Sequence, residues 1–329
     1  MVELGLIIST CGQSWDAKTN PWSWDTITGI AKKAETVGFD SIWVMDHYVN
    51  PYMLDYYAME SLTVLSALST TVKDIKLGTS VLCNVFRHPS ILATIISSLD
   101  LISDGRINVG IGSGWGKDET KMLGLDWPKY SERVEMLEES LQILNGLLSG
   151  KETNFEGNYY NVNNARIGPP PVQNPHPPIW VGGSSEKMQT IAAKYGDGWL
   201  PEALDAKTMK EGSDFIKKKA SELKRSPEEI SIGWAGGAER GIVTKDKKLL
   251  EKEADTIFET KWWGKPISEY YSTREELPWM IGTPDECIER IEKLVKSGCQ
   301  LITTGFKDFP STEYLDLYSK TVIPYFKEK

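Results

Sequence analysis

The chain has little with which to build a cross-linked or metal-clustered protein. Its 329 residues include four cysteines and three histidines. Cys11, Cys83, Cys287 and Cys299 form no CxxC pair, which points to a reducing compartment rather than a disulfide framework. Cys287 and Cys299 read as a buried helix residue and a strand-start residue. His47, His88 and His176 are scattered, with no HExxH and no paired-carboxylate spacing, so no metal site is expected. GxSxG is absent, which leaves a serine hydrolase without support. No run of 18 apolar residues occurs, so nothing is predicted to span a membrane. The opening MVELGLIIST has neither a basic leader region nor a small-residue cleavage site, so a cytoplasmic protein is expected. Positive charge is in deficit, 37 basic residues against 46 acidic for a net charge of −9, which disfavours a nucleic-acid partner. The one basic cluster, Lys217, Lys218, Lys219, Lys224 and Arg225, lies among glutamates and reads as the solvated face of a polar helix.

What the chain does have is alternation. Strand signals at 4–9, 41–45, 75–82, 107–111, 179–181, 198–200, 230–235 and 301–304 are each followed by a segment of helical periodicity. The run at 241–243 is a further candidate for the seventh strand. Ile27, Ile30, Ala31 and Ala34 recur at helical spacing before Gly38, and Thr283-Pro284-Asp285-Glu286 is a capping box ahead of a helix that Gly298 ends. Two stretches break the pattern. Residues 151–177 read as a hairpin turning at Glu156–Gly157 followed by a proline-rich run, and 260–280 have no clean period. Both read as insertions in one domain spanning 1–329. There is no internal repeat beyond the alternation itself.

Eight strand–helix units predict an α/β (β/α)8 barrel, a TIM barrel with insertions. The competitor is a doubly wound sheet, but G110-I-G112-S-G114-W-G116 is an every-other-residue pattern rather than G-x-G-x-x-G, and it follows the fourth strand rather than the first. In a barrel, chemistry gathers at the carboxyl ends of the strands. Those ends carry Asp46, His47, Cys83, Asn84, Ser113, Trp115, Gly182, Gly183, Trp199 and Glu202.

Asp46-His47 reads either as a proton-shuttling pair or as an ordinary turn cap. Ser80-Val81, flanked by Thr79 and Leu82, reads by periodicity as core. Gly182-Gly183-Ser184-Ser185 joins a strand to a helix whose free amides would favour a phosphate, or is simply a flexible loop. Twelve tryptophans, including Trp15, Trp22, Trp24, Trp43, Trp115, Trp199, Trp262 and Trp263, several of them in predicted loops, suggest an apolar, stacking pocket.

The segments WVMDHY, LGTSVLCNVFRHP, LDLISDGRINVGIGSGW, YSERVEMLEESLQIL, GNYYNV, PPPVQNPHPPIWVGGSSE, AAKYGDGW and GTPDECIERI together resemble the bacterial luciferase-like monooxygenase superfamily, and within it the branch that uses the deazaflavin coenzyme F420. The match runs nearly end to end and is weaker from about 203 to 280. The resemblance implies a barrel, usually homodimeric, with the cofactor at its mouth. It implies that Asp46 contacts the deazaflavin head and that His47 is the proton donor or orienting group beside it. Ser80-Val81 would be a non-proline cis peptide behind the ring. Cys83, Ser113, Gly114 and Asp118 would line the cofactor, and Gly182, Gly183, Ser185 and Glu186 would bracket its phosphate. Trp115, Trp199 and Glu202 would face the substrate.

The chain also departs from its branch. Sugar-phosphate dehydrogenases there place a catalytic Glu where this sequence has Trp115 and a phosphate-binding lysine at Asp205, so a sugar phosphate is disfavoured. DHYVN and GTPDE are nearer to a methylene-tetrahydromethanopterin reductase, although such short motifs are widely shared. The implied activity is hydride transfer between F420 and a small organic substrate. The alternatives are an FMN-dependent two-component monooxygenase of the same fold and a non-catalytic flavin-binding homologue.

Overall fold

A computed structural model describes residues 2–11, 23–51, 53–262 and 265–328. Eight strands form the frame: β1 (Glu3–Ile8), β2 (Ser41–Val44), β3 (Lys76–Thr79), β4 (Ile107–Gly112), β5 (Ile179–Val181), β6 (Gly198–Trp199), β7 (Ser231–Ala235) and β8 (Leu301–Thr304). Each pairs in parallel with the next. β8 returns to β1, with Leu4 opposite Ile302, and closes the ring. Helices follow the strands and cover the outside, which makes the architecture a (β/α)8 barrel.

The helices start and stop where their residues require. Ser23 caps the first helix, Trp24–Thr36, by accepting from the Thr26 amide, and Ile27, Ile30, Ala31 and Ala34 form its buried stripe. Thr283 and Glu286 close a reciprocal capping box on Pro284–Lys296. All four cysteines are buried and free, Cys287 on that helix and Cys299 just before β8. Among the described residues no helix is long and apolar enough to cross a membrane.

Two hydrophobic layers result. The larger lies between strands and helices. The smaller fills the barrel lumen and contains Ile7, Trp43, Trp180, Leu200, Ala235, Ala238 and Leu301. Trp43 and Trp180 meet edge to face with centroids 6.1 Å apart. They fit because their neighbours lack side chains: a Cβ on Gly78 would lie 2.6 Å from the Trp43 ring, and one on Gly198 would lie 2.2 Å from the Trp180 ring. The two indoles form a floor across the barrel.

Two local readings of the sequence need correction. The apolar run at 75–82 is not one strand. β3 stops at Thr79, the Ser80–Val81 peptide is cis, and Leu82–Cys83 resumes pairing beside Ile111–Gly112. The run at 241–243 is not a barrel strand: Ile242–Val243 pairs with Ile281–Gly282 in a separate two-stranded sheet, after a turn at Gly237, whose φ is +77°. The stretch at 260–280 packs firmly despite its lack of period, burying Ile267, Leu277, Trp279 and Met280. The hairpin is present as Thr153–Glu156 paired with Asn161–Ala165. Trp15, Trp22 and Trp263 lie outside the described residues.

Candidate active site

Above the tryptophan floor, at the carboxyl ends of the strands, lies a cavity of about 660 Å3. That is the size of a small-molecule site. Its wall brings together, from five strand ends, His47, Val81, Trp115, Gly182 and Gly237. Asp46, Ser80, Cys83, Ser113, Gly114, Gly183 and Glu202 also reach it. Among the described residues no cluster of three His, Cys, Asp or Glu side chains is placed to hold a metal ion.

Asp46 is the most heavily bonded group there. Oδ1 accepts from the Ser61 hydroxyl at 2.6 Å and from Arg87 Nη2 at 2.8 Å. Oδ2 accepts from the Cys83 amide at 2.9 Å and from Arg87 Nη1 at 2.8 Å. Four donors on two oxygens leave the carboxylate little capacity for a ligand. Asp46 therefore positions Cys83 and the segment after β3. Burial works against the Arg87 charge, but the bonds and charge of Asp46 overcome it and hold the guanidinium above its ordinary value. Burial pushes the Cys83 thiol up to about 12, so a neutral S–H faces the cavity.

His47 is 6% exposed and meets a residue the sequence reading passed over. Its Nδ1 lies 3.0 Å from Oε2 of Glu119, which is 1% exposed. Glu119 Oε1 accepts from the backbone amides of Tyr48 and Val49. Asp118, assigned to the cofactor, is exposed on the outer side of the short helix Lys117–Met122. One residue along a helix turns a side chain by about 100°, and that rotation delivers Glu119 inward in place of Asp118. Trp115 packs its edge on His47, with centroids 5.3 Å apart.

The wall formed by β4 and β5 is backbone. A Cβ on Gly182 would lie 2.9 Å from Val81 Cγ2, and one on Gly114 would lie 2.5 Å from Cys83 Sγ. Gly114 also has φ +83°, which disfavours any side chain. Arg133 fixes this turn from behind. Its Nε donates to the Ser113 carbonyl at 3.2 Å and its Nη1 to the Pro128 carbonyl at 2.7 Å, while its guanidinium lies 3.9 Å from the Trp127 ring centroid. Arg133 is another side chain at the cavity that sequence reasoning missed; its place in a long amphipathic helix looked like that of any core residue.

Three further assignments change. Trp199 does not face the substrate space. β6 is only two residues long, and alternation turns Gly198 and Leu200 into the lumen and Trp199 outward, fully buried against the helix Ala206–Glu222. Its Nε1 donates to the Gly183 carbonyl at 2.7 Å, so it holds the β5 loop from outside. Ser185 and Glu186 do not line the cavity. Ser185 caps the helix Glu186–Tyr195 and bonds the hydroxyl of Tyr130 at 2.8 Å, and Tyr130 does reach the cavity. Glu186 is exposed at the first helical position. Glu202 stands exposed on the cavity wall.

Comparison with known proteins bears on this arrangement. The luciferase-like monooxygenase family profile matches residues 2–301. The F420-dependent glucose-6-phosphate dehydrogenase of Amycolatopsis mediterranei (strain U-32) is 28% identical over 312 residues, covering 89% of this chain and 92% of that protein. The FMNH(2)-dependent dimethylsulfone monooxygenase of Pseudomonas putida is 28% identical over 349 aligned positions, covering 98% and 92%. The structure of the coenzyme F420-dependent tetrahydromethanopterin reductase from Methanopyrus kandleri superposes with a TM-score of 0.75 at 22% identity, covering 99% of each chain. Relatives of this chain are thus oxidoreductases and monooxygenases that use F420 or FMN. Since the family profile spans most of its length, the chain belongs to the luciferase-like monooxygenase family.

Proposed function

We propose that this protein is an F420-dependent oxidoreductase that moves a hydride between a deazaflavin and a small organic substrate, with His47 carrying the accompanying proton. The observation that carries the reading is His47 itself: the cavity's one imidazole, buried, tied through Nδ1 and facing the same space as the glycine edges of β4 and β5. The site fits a flat cofactor with an anionic end. Gly112, Gly114 and Gly182 keep a wall that Cβ atoms would fill, and the exposed Ser184, Lys117 and Tyr130 also line the cavity. Ser80, Val81, Cys83, Ser113 and Gly183 would hold the ring, and Ser184, which does line the cavity, would face the phosphate side. Bound F420 supplies two-electron chemistry and lacks the ring nitrogen through which flavins activate oxygen. The chain's own part is to orient, exclude water and relay a proton through His47.

Trp115 and Asp205 weigh against a sugar phosphate. Trp115 occupies the wall beside His47 with an apolar ring, and Asp205 is the cap of Ala206–Glu222, accepting from the amides of Lys207 and Thr208. The substrate proposed is apolar or ring-bearing. A cytoplasmic homodimer with no nucleic-acid partner completes the reading. Titration with oxidised F420 and, separately, FMN tests it. Saturable F420 binding is expected, and its absence overturns the proposal. FMN binding alone selects the second reading, a two-component monooxygenase, which rests on the 28% identity to the dimethylsulfone enzyme.

A further inference from the structure

We infer that Glu119 is a positioning residue that locks His47 in the Nδ1–H form and so leaves a bare Nε2 to the cavity. The inference starts from Oε1. That oxygen accepts from two main-chain N–H groups, Tyr48 and Val49, which cannot reverse their polarity. An ionised carboxylate is acceptor-only. Oε2 is then an acceptor too, and the atom 3.0 Å away, His47 Nδ1, must bring the proton. A neutral imidazole carries one N–H, so Nε2 has the lone pair.

The surroundings support the assignment. A Cβ on Gly116 would come within 2.7 Å of Oε2, so glycine at 116 is what lets the carboxylate approach. Other ionisable groups nearby do not compete for this proton. The thiols of Cys11 and Cys83 both sense the Glu119 charge and are held neutral by burial. Asp46 is committed to Arg87, and Arg87 to Asp46 and Glu60. Lys117, at the start of the same helix, is exposed. In water a neutral histidine favours the opposite, Nε2–H form, so Glu119 inverts the default. The consequence for the reaction, that Nε2 can take a proton as hydride leaves, rests on the hydride-transfer reading. The ring state itself does not.

Nitrogen-15 NMR of the full chain tests it without cofactor or substrate. Only three imidazoles are present, and His47→Gln identifies the signal that belongs to His47. At about pH 8, where an ordinary imidazole is neutral, a protonated Nδ1 and bare Nε2 are expected. A Nε2–H ring, or a doubly protonated one, overturns the inference. Glu119→Gln sharpens the test. Its single amide oxygen must stay on the Tyr48 and Val49 amides, so its NH2 faces Nδ1 and donates to it. His47 should then switch to Nε2–H, and turnover should fall on the order of 10²–10⁴-fold, as for a triad histidine given the wrong tautomer, with KM changed less than about threefold. An unchanged ring signal in that variant overturns the inference. A switched ring with unchanged turnover leaves the lock standing and removes His47 from the proposed reaction.

Discussion

Arg87 grips Asp46 through two parallel hydrogen bonds, Nη1 to Oδ2 and Nη2 to Oδ1, each 2.8 Å long. The carboxylate is 1% exposed and the guanidinium 10%. Removing one partner of such a pair leaves an uncompensated charge. Arg87→Ala should therefore lose about 3–5 kcal/mol of stability, read from denaturant midpoints. A loss under about 1 kcal/mol would mean that Asp46 does not depend on this partner.

The glycine wall makes a second prediction. Gly114→Ala adds a methyl 2.5 Å from Cys83 Sγ at a residue with φ +83°. Gly124 has φ +74° but no atom within 4 Å of its would-be Cβ. Both alanine variants should lose roughly 1–2 kcal/mol through the backbone, and Gly114→Ala alone should also weaken cofactor binding at least about tenfold. Calorimetric titration of both variants separates the effects. Equal cofactor affinities would remove Gly114 from the proposed site.

Glu239 predicts an inverted pH dependence. Its carboxyl is buried although the residue as a whole is only half-buried, and its Oε1 has no hydrogen-bond partner. Desolvation raises it from 4.5 to about 7, opposed by the Ser9 hydroxyl and the Arg240 charge. A raised acid binds its proton more tightly folded than unfolded. Its contribution is therefore intact below about pH 4.5 and is lost as pH rises through about 7. The whole effect is at most roughly 3 kcal/mol. Glu239→Gln should gain stability relative to the parent across that window. Parallel urea curves at both ends of it would refute the assignment.

A substrate experiment follows from Trp115 and Asp205. With F420 supplied, glucose 6-phosphate should give no turnover above a blank, because the wall beside His47 is an indole and Asp205 is spent on a helix cap. Measurable reduction of F420 by that sugar would return the substrate to the class of the glucose-6-phosphate dehydrogenase relatives.

The sequence was most readable where short apolar runs stand between turn residues. Strands at 179–181 and 301–304 match to the residue because Pro177-Pro178 and Gly298 bound the runs around them. It was less readable where direction depends on phase. The two-residue β6 offers no alternation from which to learn that Trp199 turns outward, and the six-residue helix after Gly116 is too short to rank Asp118 against Glu119. At 75–82 every residue suits a strand, and only the ladder shows where pairing stops. The Asp46-His47 pair was visible in the chain, while its partners Arg87 and Glu119, 41 and 72 residues away respectively, are brought to it only by the parallel pairing of β2, β3 and β4.

Trp43 and Trp180 pack the barrel lumen together with Ile7, Leu200 and Ala235, and it is those three that line the cavity. A ligand at that depth meets aliphatic side chains, with the indoles one layer behind. The two rings therefore act at a remove. They hold up the surface on which a ligand would rest without touching it, so trimming either indole should be felt first as a deeper, softer cavity and only then as a change in what the cavity accepts.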